Sequence, residues 1–191
     1  MTVFEAILGR RSVRNYKAQK VDRTSIRILL EAAVLAPTAI HQEPWSFVIV
    51  QDRQLMRKLS DQAKPLFLAA ASHSNSKHSG HKFDIFDSPD FNIFYDADTL
   101  ILICGKTAAP SSTADCWLAA ENLMLAACAM GLGSCVIGSA LPAFSIPEVR
   151  AQLHIPDEFS VVAPIILGYP SGETAPTLRK APVILASIPA A

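Results

Sequence analysis

The 191-residue chain carries equal numbers of basic and acidic residues, 17 of each, and half of its residues are hydrophobic. That composition excludes intrinsic disorder, which follows from too little apolar surface to form a core. It offers no clustered basic surface for nucleic acid or an anionic membrane.

The length fits one domain over 1–191 with a substantial core, and so high an apolar fraction leaves surface for an oligomer interface. Cys104, Cys116, Cys128 and Cys135 form no C-x-x-C pair, and three of them lie in apolar stretches, as reduced thiols of a cytoplasmic protein do. Met1 leads quickly into charged residues, so no signal peptide is expected. Residues 123–146 are uncharged and long enough to span a bilayer. Gly131, Gly133, Gly138 and Pro142 interrupt them, however, which predicts a buried helix, a turn and a strand, and no membrane partner.

Thr2-Val3-Phe4-Glu5 has the form of a capping box, with Phe4, Ile7 and Leu8 as the apolar side of a short helix. Residues 10–20 are basic and irregular. A second helix starts at Asp22, carries Ile26, Leu29, Leu30, Ala33 and Val34 at helical spacing, and ends before Pro37. Ser46-Phe47-Val48-Ile49-Val50 reads as the first central strand. Residues 55–71 form a helix interrupted or kinked near Pro65. Residues 72–91, rich in Ser, His and Asp, read as a surface loop or lid. A buried strand over 97–104, a long apolar helix over 113–130, a strand over 133–137, a short helix over 146–153 and a strand over 160–167 follow. The tail is Pro-rich from Thr174, with 183–187 as a possible added strand. The order implies one α+β domain with a mixed sheet.

Three groups of residues carry chemistry. Arg10, Arg11, Ser12 and Arg14 place three guanidiniums and a hydroxyl within five residues, a set suited to a phosphate and a polar ring edge. Alone, the run also fits a solvated basic turn. Two prolines, Pro37 and Pro44, restrict the loop that ends at Trp45, where small residues permit close approach. Arg179 and Lys180 are adjacent cations in an apolar tail. His73, His78 and His81, with Asp84 and Asp87 nearby, match no familiar metal spacing and read as a polar lid, so no metal is expected. Asp115 reads as a first-turn helix charge. Gly131-Leu132-Gly133 follows a helix instead of opening one, which is the wrong context for a dinucleotide fingerprint.

Taken in order, Arg10-Arg11-Ser12-x-Arg14-x-Tyr16 and Ala36-Pro37-Thr38-Ala39, the latter running to Pro44-Trp45-x-Phe47-Val48, resemble the FMN-dependent nitroreductase family. The late Gly168-Tyr169-Pro170 and Arg179-Lys180-Ala181-Pro182 agree with it, so the resemblance spans nearly the whole chain. It implies a three-layer α/β/α sandwich with a central mixed sheet, forming an intertwined homodimer with FMN in two interface clefts. On this chain it implies that Arg10 and Ser12, with Arg11 beside them, meet the FMN phosphate and ribityl chain, joined by Arg179 or Lys180. Arg14 would face the pyrimidine edge of the ring. Pro37, Thr38, Ala39 and His41 would come from the partner subunit, and Ile137 and Gly138 would pass behind flavin N5. NADH or NADPH would supply hydride by a ping-pong route to a nitroaromatic or quinone. Dehalogenation, flavin-consuming synthesis and a non-catalytic flavin sensor or store are the alternatives. Family members commonly have Asn and Gln where this chain has His41 and Glu43, and a carboxylate there opposes anionic reduced FMN unless it is paired.

Overall fold

The computed structural model describes residues 1–73 and 84–188. Thr2 caps the first helix, α1 (Val3–Gly9), with the anticipated capping box: Glu5 N–H donates to Thr2 Oγ1 at 3.2 Å and Thr2 N–H to Glu5 Oε2 at 2.6 Å. The apolar side of α1 behaves differently from expectation. Phe4, Ile7 and Leu8 stay exposed and only Ala6 is buried, because within one chain α1 packs narrowly against a single neighbouring helix. Asp22 caps α2 (Arg23–Val34), accepting from both the amide and the hydroxyl of Ser25, and Ile26, Leu29 and Ala33 turn inward. The third helix, α3 (Arg53–His73), runs through Pro65 as one element. The remaining helices are α4 (Ser112–Ala129) and α5 (Pro147–Gln152), the latter opening on a proline whose missing N–H costs nothing there.

Four strands, β1 (Trp45–Val50), β2 (Thr99–Lys106), β3 (Gly133–Val136) and β4 (Phe159–Gly168), form one sheet in the order β1-β2-β4-β3. Every pairing within it is antiparallel. The mixed character shrinks to an isolated parallel bridge between Ser12 and Ser134. β1 sits at an edge, not at the centre: its half-buried pattern and exposed Ile49 suit a strand paired on one side. Among the described residues 183–187 form no strand, and Val183, Ile184 and Leu185 are exposed.

β2 is buried on both faces, and its alternation separates two cores. Leu100, Leu102 and Cys104 join Ile166 beneath α3, α5 and the 3-10 segment Gly138–Ser145. Ile101 and Ile103 join Ala163, Ile165 and Leu167 beneath α2 and α4. Helices on both faces of one sheet make the three-layer sandwich. Of the predicted lid at 72–91, residues 74–83 lie outside the described residues, as do His78 and His81; Asp84–Asp87 form a 3-10 turn. Among the described residues no helix is long and apolar enough to cross a membrane.

Candidate functional site

The basic run leaves α1 as an extended segment laid along the β3 end of the sheet. Val13 N–H donates to Ser134 O at 3.0 Å, Lys17 N–H to Tyr169 O at 2.8 Å and Ser171 N–H to Asn15 O at 2.9 Å. Two glycines make room for it. A Cβ on Gly133 would stand 2.8 Å from Val13 Cβ, and one on Gly168 would stand 2.7 Å from Tyr16 Cδ1. Val13 and Tyr16 thus seat against bare backbone, and the Tyr16 hydroxyl donates back to Val13 O at 2.7 Å. Burial pushes that hydroxyl above its ordinary pKa, so it stays protonated and keeps donating.

This seating aims the side chains on either side of Val13 outward. Arg10, at the end of α1, pairs with Glu121 of α4, Nε to Oε1 at 3.5 Å. Arg11 Nη1 donates to the carbonyls of Leu8 at 2.6 Å and Arg10 at 2.8 Å, closing the C-terminal end of α1. Arg10, Arg11 and Ser12 border a cleft of about 430 Å³, completed by Glu121, Thr177 and Arg179 with Ile7 and Leu8. The distant tail thereby brings Arg179 to the N-terminal arginines, while Lys180 does not line the cleft. Three guanidiniums against one carboxylate, with two hydroxyls, leave a cationic surface for an anion. Glu121 is a site residue that inspection of an apolar helix did not reveal; a lone acid there carries no local signal of a partner more than a hundred residues away.

Arg14 turns elsewhere. Its guanidinium carbon lies 5.8 Å from the ring centroid of Tyr95, and it forms no ion pair among the described residues. Buried Ile137 donates its N–H to Pro164 O at 2.8 Å, which places exposed Gly138 just beyond the end of β3.

The loop after α2 lies outside the Arg10 cleft. Pro37 is exposed, Thr38 and Ala39 are half-buried and His41 is exposed. Ile40, His41 and Glu43 all adopt left-handed backbone, with φ of 46°, 54° and 44°. Non-glycine residues hold such a conformation only where their surroundings over-determine it. Here Asp115, 3 % exposed in the first turn of α4, accepts from Ala39 N–H at 3.3 Å, and Lys106 N–H donates to Pro44 O at 3.0 Å. Asp115 is therefore an anchor for the loop as well as a helix-end charge. Glu43 is exposed and finds no arginine: it forms no ion pair among the described residues.

Comparison with known proteins places the chain in a family. The nitroreductase family model matches residues 7–169. A protein of Archaeoglobus fulgidus, provisionally named an NADH dehydrogenase/NAD(P)H nitroreductase, is 30 % identical over 87 % of this chain and 84 % of its own. An iodotyrosine deiodinase of Thermotoga neapolitana is 27 % identical over 88 % of each. A crystal structure of a Bacteroides fragilis nitroreductase with bound FMN superposes with a TM-score of 0.80 at 28 % identity, covering 98 % of both chains. The match begins on α1 and ends at Tyr169, beyond β4, so it takes in every element that builds the site except the tail bearing Arg179, and the chain belongs to the nitroreductase family.

Proposed function

We propose that this protein is an FMN-dependent oxidoreductase that uses NADH or NADPH. The observation that carries the reading is the cleft that gathers Arg10, Arg11, Ser12 and Arg179 from opposite ends of the chain. Its volume lies in the range of small-molecule sites. Its forked donors suit a phosphate, for which the chain has no Walker loop. Arg10 and Ser12 would hold the phosphate and ribityl chain, with Arg179 closing over them and Arg11 fixing the end of α1. Arg14 would lie at the pyrimidine edge, where its charge favours the reduced, anionic ring and raises the potential. Ile137 and Gly138 would present backbone behind the ring. When bound, FMN would supply the redox chemistry, taking a hydride from the nicotinamide at N5 and delivering it to a small acceptor such as a nitroaromatic or quinone. No side chain needs to act as a general acid; the residues here bind, orient and exclude water.

The site is completed by a second copy in this reading. Pro37, Thr38, Ala39 and His41 do not reach their own chain's cleft, and Phe4 and Leu8 of α1 and Leu178 and Leu185 of the tail lie bare. Exposed apolar surface of this kind marks an interface, and the open edge of β1 is a place for added strand. A homodimer would cover both. A sedimentation mass of one 20.6 kDa chain at micromolar concentration would overturn it.

The decisive experiment is the absorbance spectrum of purified protein with FMN, before and after anaerobic NADH or NADPH. Flavin bands that bleach with either donor are expected. Protein that takes up no FMN refutes the reading, and bound FMN that neither donor reduces points to a sensor or store. Including 3-iodo-L-tyrosine beside a nitroaromatic and a quinone as acceptors separates reductase from dehalogenase chemistry.

A further inference from the structure

We propose that Tyr95 is a positioning residue for Arg14 and thereby sets how strongly the site prefers reduced over oxidised flavin; this rests on the FMN reading above. Arg14 is exposed and, among the described residues, makes no ion pair and no hydrogen bond. A side chain with so many rotamers would otherwise spread its charge over a wide volume. What fixes it is the face of the Tyr95 ring, 5.8 Å from the guanidinium carbon, within reach of a cation–π contact.

The ring is held unusually firmly for a half-buried residue. Tyr95 and Asp96 are consecutive left-handed residues, each with φ of 52°. Asn92 locks that turn: its Nδ2 donates to Asp96 Oδ1 at 2.8 Å, its Oδ1 accepts from Phe94 N–H at 3.0 Å, and its carbonyl accepts from Tyr95 N–H at 2.8 Å. The segment is tied to α3 through Ile93 N–H to Ser60 Oγ at 3.0 Å and Lys64 Nζ to Phe91 O at 3.0 Å. The Phe91 and Tyr95 rings pack at a steep angle, 80°, with centroids 5.6 Å apart. Strain retained in a turn this well braced has a purpose when it presents a side chain, and the side chain it presents meets Arg14.

The test is the reduction potential of bound FMN in the dimer as purified, for wild type, Tyr95→Phe, Tyr95→Leu, Arg14→Ala and the Arg14→Ala/Tyr95→Leu double variant. Tyr95→Leu should lower the ratio of reduced to oxidised flavin affinity by about two- to fivefold, the size of one exposed cation–π contact. Tyr95→Phe, which keeps the ring face, should retain the wild-type potential. Tyr95→Leu should add nothing once Arg14 is gone. A series of increasingly fluorinated phenylalanines at position 95 should lower the potential stepwise with almost no change of shape, and keeps the test open if Tyr95→Leu does not fold. Equal potentials across that series, an effect of Tyr95→Leu that persists without Arg14, or a loss in Tyr95→Phe as large as in Tyr95→Leu would overturn the inference while leaving FMN binding intact. Wild type that binds no FMN, or an Arg14→Ala potential equal to wild type, would instead overturn the underlying site reading and this inference with it.

Discussion

Gly168→Ala is a small change aimed at the seat of the basic segment after α1. The added Cβ would stand 2.7 Å from Cδ1, 3.3 Å from Cγ and 3.4 Å from Cε1 of Tyr16. Alanine tolerates the strand backbone here, so the effect is one of space. The ring cannot swing aside cheaply, because its hydroxyl donates to Val13 O at 2.7 Å and its backbone bridges Pro170. Overfilling a packed contact costs about 1–3 kcal/mol, and losing the hydroxyl contact adds about 1 kcal/mol. If the segment holds its place, a cost of about 2 kcal/mol lowers the melting temperature by about 4–8 °C for a chain of this length. If it lifts instead, Arg10 and Ser12 move with it and FMN binding weakens by about tenfold for each 1.4 kcal/mol lost. Thermal melts of the apoprotein and fluorescence titration with FMN read the two routes separately. Combining the change with Tyr16→Ala should abolish the penalty specific to Gly168→Ala, since the ring it strikes is gone. Wild-type melting and binding in Gly168→Ala, or an undiminished penalty beside Tyr16→Ala, would refute this account of the segment.

Two further outcomes are expected. Asp115→Ala removes a buried carboxylate that holds Ala39 N–H and faces a helix N-terminus, a loss of about 2 kcal/mol; melting should drop by about 4–8 °C, Asp115→Asn should recover part of it, and an unchanged melt would show that the loop is anchored elsewhere. Burial pushes the Cys104 and Cys116 thiols up from 9.0 to about 12 and about 11. Below pH 9 both folded and unfolded chains keep these protons and the stability is intact; above it the unfolded chain ionises first, so stability falls between pH 9 and about 11–12. Urea unfolding at pH 8 and pH 10.5 should show that fall in wild type and a smaller one in Cys104→Ala/Cys116→Ala, and equal slopes would contradict it.

Much of this molecule is encoded locally. Thr2 with Glu5, and Asp22 with Ser25, start their helices through contacts three residues apart, and the apolar runs of β2 and β4 announce buried strands because both faces are covered. Arg10, Ser12 and Arg179 stood out as candidates for a phosphate through the family resemblance, because the basic run taken alone fits a solvated turn equally well. What the local pattern could not settle was who neighbours whom. The run at 46–50 has the composition of any strand, and only the pairing order places it at an edge. The apolar side of α1 looks like core until the single chain leaves it bare.

The sequence by itself therefore determined most of the elements and the resemblance to the family, because capping, alternation and motif residues act over a few positions. Tertiary structure alone decided that Arg179 and not Lys180 reaches the cleft, that Glu121 meets Arg10, that Gly168 receives Tyr16 and that the Arg14 guanidinium lies over the Tyr95 ring. Each joins residues dozens to well over a hundred positions apart, where the contact exists only after the chain has met the cost of closing the loop between them.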